Sequence, residues 1–193
     1  MALEILIFCG QANNNGHETK VMNFVKDSIR KRGHEPVFIN PLKYRLPTDV
    51  KSYTEDDSGK APESLSRLAQ KISMADAFVV ISGEHNYGIP QPLTDLMEHF
   101  LEEYFFRPSG IISYSADKFG GERAAIELRS FLSEIGTVSI PTLVRIPSVQ
   151  NSFNSSGEPV NPDYQQFINH FLDDLEWYSF ALREGRKTRS LPY

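Results

Sequence analysis

Residues 77–106, AFVVISGEHNYGIPQPLTDLMEHFLEEYFF, set an apolar run, a polar loop and a long apolar stripe one after another. Phe78, Val79, Val80 and Ile81 form a continuous apolar run closed by Ser82 and Gly83, which is how a strand covered on both faces reads. From Pro92 on, Leu93, Leu96, Met97, Phe100, Leu101, Tyr104 and Phe105 recur at steps of three and four, predicting one helix over 92–106. Between strand and helix lie Glu84, His85, Asn86 and Tyr87, then Gly88, Pro90 and Pro92, the last suited to a first helical turn. A polar loop at the carboxyl end of a parallel strand is where open α/β sheets bind ligands.

The same alternation extends outward. Residues 3–9 read as a first buried strand and 10–16, GQANNNG, as a loop opening a helix with Val21, Phe24, Val25 and Ile29 inward. Gly33 follows a basic last turn of Arg30, Lys31 and Arg32, a usual helix stop. Residues 37–39 give a short second strand, 41–62 an irregular segment with three prolines, and 64–74 a helix with Leu65, Leu68, Ala69 and Ile72 inward. Beyond the central helix come a strand at 110–114, a polar loop at 115–120, a helix at 121–135, a strand at 137–146, a turn-rich loop at 151–162 and a last helix at 164–182. Pro141 places the fifth strand at an edge. Five strands alternating with helices predict an α/β fold: a flavodoxin-like doubly wound five-stranded parallel sheet, order 2-1-3-4-5, with helices on both faces, in a single domain over 1–193.

Composition narrows the function classes. Apolar residues make up 40% of the chain, with 13 Phe and 8 Tyr, enough to fill a core. Net charge is −5, and the only basic cluster is the tail 183–189, which reads as solvated, so no nucleic-acid partner is expected. No run approaches the ~18 apolar residues of a membrane span. The chain enters a strand directly, without a signal-peptide pattern, so a cytoplasmic protein with no membrane partner is expected. Cys9 is the one cysteine, which excludes an internal disulfide and an all-cysteine metal site.

Three loops, 10–19, 83–91 and 115–121, meet on one rim of such a sheet. The first opens a helix, where free amides and the dipole favour an anion such as phosphate. It matches no common phosphate fingerprint: Gly10 and Gly16 are one residue too far apart for GxxxxGK[ST], and GxGxxG is absent. A phosphatase reading of Cys9 needs an arginine shortly after it and meets asparagines instead, so Cys9 reads as a buried structural residue. His85 reads either as a ring that bonds or stacks on a planar ligand or as a structural loop residue. His99 and Glu103, like Glu98 and Glu102, fall off the apolar stripe and read as a solvated face. His34 and His170 lack partners at metal spacing, so no metal is expected. Residues 104–106 read as core or as a subunit contact.

The chain resembles the NADPH-dependent FMN reductase family. The resemblance rests on Ala75-Asp76-Ala77, on Glu84-His85-Asn86 followed by Ile89-Pro90 where the family usually reads Pro-Glu-Tyr-Asn and then Pro, and on 115–123 with Gly120-Gly121. Leu128-Arg129 before Leu132 and Asn40-Pro41-Leu42 add to it. It implies FMN as cofactor and NADPH or NADH as co-substrate. By that resemblance Gln11, Asn13, His17 and Thr19 hold the phosphate, while Glu84, His85, Asn86, Tyr87, Ser115, Phe119 and Gly120 flank the ring. Departures are Asn13 about where an arginine is usual, His17 near a usual serine, Gly83 for proline and His85 for tyrosine, with Glu18 adding a negative charge. Neutral donors in loop one predict weak FMN binding that strengthens as pH falls through the histidine range near ~6.5.

The implied activity is FMN-dependent oxidation of NAD(P)H, with free flavin, a quinone, an azo compound or a similar molecule as acceptor. No acid–base pair or protein nucleophile is required. The rival reading is a flavodoxin-like binding or regulatory module with weak or lost FMN binding. The wide stripe over 92–106 further predicts a homodimer or a dimer of dimers, as related reductases also use this helix.

Overall fold

A computed structural model describes residues 1–10, 16–44, 46 and 62–192. Five parallel strands, β1 (Glu4–Gly10), β2 (Glu35–Ile39), β3 (Ala77–Gly83), β4 (Pro108–Tyr114) and β5 (Val138–Ile146), pair in the order β2-β1-β3-β4-β5. Every residue of β3 and β4 is buried: β3 holds a continuous apolar run, and β4 buries Ser109, Gly110 and Ser113 beside Ile111, Ile112 and Tyr114. Strand β5 stands at an edge, and its register against β4 slips between Ser109 and Ile111, beside Pro141. The freed carbonyls of Ile140 and Pro141 accept from the Arg129 guanidinium at 2.9 and 3.0 Å.

Among the described residues the helices around the sheet are α1 (His17–Lys31), α2 (Glu63–Met74), α3 (Gln91–Met97), α4 (Glu122–Glu134), the short α5 (Val149–Ser152) and α6 (Asp163–Thr188). Odd-numbered residues of β1 (Ile5, Ile7, Cys9) join Val21, Val25 and Ile29 of α1 and Ile168, Phe171 and Leu175 of α6 in one core. Even-numbered residues, Leu6 and Phe8, join Leu68 and Ile72 of α2, Leu96 and Met97 of α3 and Leu128 of α4 in the other. The period-two pleat sorts the side chains between the two layers. Residues 41–43 form a 3-10 turn whose Leu42 N–H is capped by the Asn40 side chain at 3.0 Å.

The single helix expected over 92–106 does not form. Helix α3 stops at Met97, and a separate 3-10 turn spans Glu102–Tyr104. The His99 ring provides the reason: its Nδ1 takes the Asp95 carbonyl at 2.6 Å, the acceptor that the helix ladder would use. The His99 and Phe100 amides fall back on Leu96 and Met97, three residues behind, and Glu103 Oε2 caps the Leu101 N–H at 3.2 Å. His99 is therefore buried and Glu103 half-buried, so the solvated face expected there is confined to Glu98 and Glu102. Most of the stripe packs inside the chain, leaving Leu101 exposed and Phe105 and Phe106 half-buried. Met97, Phe100 and Tyr104 are at most 1% exposed, and Tyr104 meets Phe78 edge-on at 5.2 Å.

The basic tail is solvated only in part, at Lys187 and Arg189. Helix α6 runs on to Thr188, and Arg183 and Arg186, each 15% exposed, reach Asp76 at 3.1 and 3.7 Å. The Asp76 carboxylate also accepts from the Glu4 amide at 3.1 Å. Arg107 lies alongside, giving its protons to the carbonyls of Ala75, Phe105 and Ser73. Burial first, then the neighbouring Arg186 charge, lower its pKa to about 10.

Candidate functional site

The carboxyl ends of β1, β3 and β4 converge where the strand order reverses between β1 and β3, the position at which such sheets open a crevice. Of the residues expected to hold phosphate, Gln11 and Asn13 lie outside the described residues. Gly16, with φ 79°, precedes α1, and its first turn presents Thr19 to solvent, leaves His17 half-buried and turns Glu18 inward at 3% exposure. Glu18 is thus a buried carboxylate at the start of α1. Burial chiefly, and then its carboxylate, hold the Cys9 thiol and the Tyr114 phenol well above their usual pKa values. A raised thiol pKa leaves Cys9 without nucleophilic character.

Gly83, where the family usually has proline, belongs with Tyr114. A Cβ on Gly83 would lie 2.8 Å from Cζ of the Tyr114 ring, so the phenol fills the volume a side chain would take. Tyr104 is also fully buried, and burial pushes its phenol up. Both phenols ionise above the ~10 of an unfolded tyrosine. The stability they confer is complete below that pH and is lost as pH rises through their folded values. The urea midpoint is therefore expected to fall above pH ~10, with Tyr104 and Tyr114, and the partly buried Tyr44 less so, lagging among the 8 tyrosines in a 295 nm titration. A midpoint unchanged to strongly alkaline pH, or eight tyrosines titrating together, would count against both burials.

Loop two is a tight hairpin. His85 and Gly88 exchange both backbone hydrogen bonds, at 3.0 and 2.8 Å, and the two residues between them, Asn86 and Tyr87, take φ values of 47° and 66°. Both lie in the left-handed region that favours glycine. The Glu127 carboxylate secures the hairpin by accepting the Ile89 N–H at 3.1 Å. His85, Asn86 and Tyr87 are exposed, Tyr87 at 68%, whereas the Glu84 side chain is 6% exposed. Glu84 accepts the Arg123 N–H at 3.2 Å, in the first turn of α4, and its other oxygen is 3.6 Å from the Arg123 guanidinium. A carboxylate at a helix start suits the dipole.

Loop three is held by its own side chains. Ser115 Oγ donates to Asp117 Oδ1 at 2.6 Å and accepts the Gly121 N–H at 3.1 Å, while Asp117 Oδ1 accepts the Phe119 N–H at 2.8 Å. The Ser115 hydroxyl, followed by the Phe119 amide, keeps the Asp117 pKa below its usual value. Gly120, at φ 65°, gives its carbonyl to Ser113 Oγ at 2.8 Å. Ser115 and Gly120 thus shape the loop. Phe119 alone of the expected residues here shows a large exposed face, 47%.

These loops come together around a residue the sequence reading did not single out. The Arg123 guanidinium lies 4.2 Å from the Tyr87 ring centroid and 5.9 Å from that of Phe119. Tyr87, Phe119 and Glu84 therefore share one cation, while His85 and Asn86 stay at the hairpin tip and His17 and Thr19 on α1. A cation in a helix's first turn, against the dipole, was the available signal for Arg123. Among the described residues no group of three or more His, Cys, Asp or Glu could hold a metal, and no helix is long and apolar enough to cross a membrane.

The family described as NADPH-dependent FMN reductase matches residues 3–151, which include all five strands and all three loops. The chain belongs to the NADPH-dependent FMN reductase family. Its similarity to an NAD(P)H-dependent FMN reductase of Pseudomonas aeruginosa is 29% identity over 63% of this chain and 69% of that one. An NAD(P)H:quinone oxidoreductase of Solanum tuberosum is 31% identical over 60% of this chain and 58% of its own length. Among solved structures, the flavoenzyme NAD(P)H:(acceptor) oxidoreductase FerB of Paracoccus denitrificans aligns with TM-score 0.74 at 20% identity, covering 92% of this chain and 99% of that chain. An archaeal flavodoxin aligns with TM-score 0.59 at 13% identity, covering 91% and 99%. Both structural alignments bear out the flavodoxin-like fold of the chain.

Proposed function

We propose that this member of the family is an FMN-dependent NAD(P)H oxidoreductase that delivers electrons to a free flavin, a quinone or a similar small acceptor. The observation that carries the reading is the pair of exposed aromatics, Tyr87 and Phe119, on adjoining loops at the strand-order reversal. Exposed rings held on constrained loops offer faces to a planar ligand. The residues present fit FMN: the start of α1, with its dipole and the exposed Thr19, suits a phosphate, and Tyr87 and Phe119 suit the ring. Bound FMN supplies the two-electron chemistry that relays a hydride from nicotinamide to acceptor.

The chain's own contribution is binding and orientation. Loops two and three are fixed through Glu84, Glu127 and Asp117, so the ring faces are set before a ligand arrives. Arg123 places a cation at the rim, where it would stabilise the negative charge of a reduced, anionic ring. No second glycine-rich dinucleotide motif occurs in the sequence, so nicotinamide and acceptor take turns on one exposed surface. NAD(P)H oxidation is therefore expected to depend on added FMN and, with a quinone acceptor, to give parallel lines in double-reciprocal plots. Intersecting lines, or turnover without flavin, would overturn this order of events.

A further inference from the structure

A pocket of about 340 Å³ lies between loop three, the carboxyl end of β5 and the start of α6, with Phe119 in its lining and Tyr87 outside it. It is lined by Lys118, Phe119, Arg145, Asn161, Tyr164 and Phe167, among others. Its size is that of a small-molecule site, ~300–1,000 Å³. Phe119 and Phe167 are 47% and 49% exposed, so two aromatic faces are open to a flat heterocycle. The charged lining consists of two cations, Lys118 and Arg145, and one carboxylate, Glu122. Glu122 holds Arg145 by a single contact of 2.8 Å, which leaves further guanidinium donors for a second anion. Lys118 stands over the Phe119 ring at 5.3 Å.

This combination has a chemical reading. Aromatic walls suit a purine, and a fork of donors beside an ammonium suits a phosphate dianion. The neighbouring loops carry the carboxylates of Glu84, Asp117 and Glu127, and Arg123 there is already held by Glu84 and Tyr87. Phe119 forms a wall of both places. A dinucleotide with its nicotinamide at the rim therefore has its other half within reach of the pocket.

Resting on the reductase reading, we infer that this pocket receives the 2′-phosphorylated adenosine end of NADPH, and that Arg145 and Lys118 set a preference for NADPH over NADH. Arg145 binds the 2′-phosphate, Lys118 adds charge, and Phe119 with Phe167 contacts the adenine. Glu122 moderates the site by competing for Arg145.

The test is calorimetric titration of the whole chain with 2′,5′-ADP and with 5′-AMP, which needs no turnover. The 2′-phosphorylated probe should bind at least tenfold more tightly than 5′-AMP. Arg145→Gln should weaken 2′,5′-ADP about tenfold, the loss of one charged hydrogen bond, and leave 5′-AMP within twofold. Glu122→Gln should tighten 2′,5′-ADP, a gain that no unfolding could mimic. Equal affinity for the two probes, or no response to either substitution, overturns the inference. If NADPH and NADH are oxidised equally and 2′,5′-ADP does not bind, the pocket falls and the reductase reading stands. If 2′,5′-ADP binds as described but no flavin-dependent oxidation occurs, the pocket stands and the reductase reading falls.

Discussion

Replacing Asp76 with alanine is expected to lower the unfolding free energy by about 3 kcal/mol, the cost of leaving buried charge without its partner. The Asp76 side chain is 13% exposed and those of Arg183 and Arg186 are 15% exposed, so this is not a surface ion pair worth ~0–1 kcal/mol. Three separate groups converge on the carboxylate: the Glu4 amide at the start of β1 and two guanidiniums from the last turns of α6. Its loss leaves Arg107, Arg183 and Arg186 facing one another at the amino end of the sheet. Arg186 already lowers the Arg107 pKa, and Arg183 that of Arg186, in each case behind burial. Asp76→Asn should cost less, because an amide oxygen still accepts from Glu4. Urea unfolding followed by circular dichroism measures both. A loss below ~0.5 kcal/mol for the alanine variant would return the contact to the surface class. The site should be untouched, since Asp76 stands at the opposite end of the sheet from the three loops. The Ala75-Asp76-Ala77 run thus carries a folding role within the family resemblance.

The sequence made the sheet legible because strands buried on both faces appear as unbroken apolar runs, and β1 and β3 lie where those runs lie, while β4 shows only Ile111 and Ile112 between small residues. Pro141 correctly put β5 at an edge, and the glycine after α1 marked its end. What stayed hidden depends on single side-chain choices. An apolar stripe at helical spacing persists through 93–104, but whether the backbone follows it depends on which donor takes the Asp95 carbonyl, and the His99 ring takes it. The burial of Arg183 and Arg186 depends on a carboxylate 107 residues away from the first of them, beyond any local pattern. At the site, Tyr87 and Phe119 were recognisable as polar-loop aromatics. Arg123 was not, because its place is set by Glu84, across a sheet, rather than by its neighbours in α4. Gly83 read as a departure from the family, and only the Tyr114 ring beside it explains why a side chain is excluded there.

Tyr87→Gly is expected to weaken FMN by ~10–100-fold, the effect of deleting one stacked aromatic, while hardly moving stability. The two effects separate because Tyr87 is strained in the folded chain. At φ 66° a residue with a Cβ pays ~1–2 kcal/mol that glycine does not. Against this relief stands the loss of the Arg123 stack at 4.2 Å, worth ~0.5–1 kcal/mol at an exposed site. The 68% exposed ring packs on no core, so little else is lost. A residue kept in an unfavourable conformation at a loop tip, by hydrogen bonds from His85, Gly88 and Glu127, points to a role outside folding. Riboflavin, which shares the ring but not the phosphate, should weaken in step with FMN. Phe119→Ala should act in the same direction, and the double variant should bind either flavin more weakly than each single one. The measurements are fluorescence titrations with both flavins alongside urea unfolding of each variant. Flavin affinity unchanged in Tyr87→Gly, or lost only together with the fold, would remove the ring from this site.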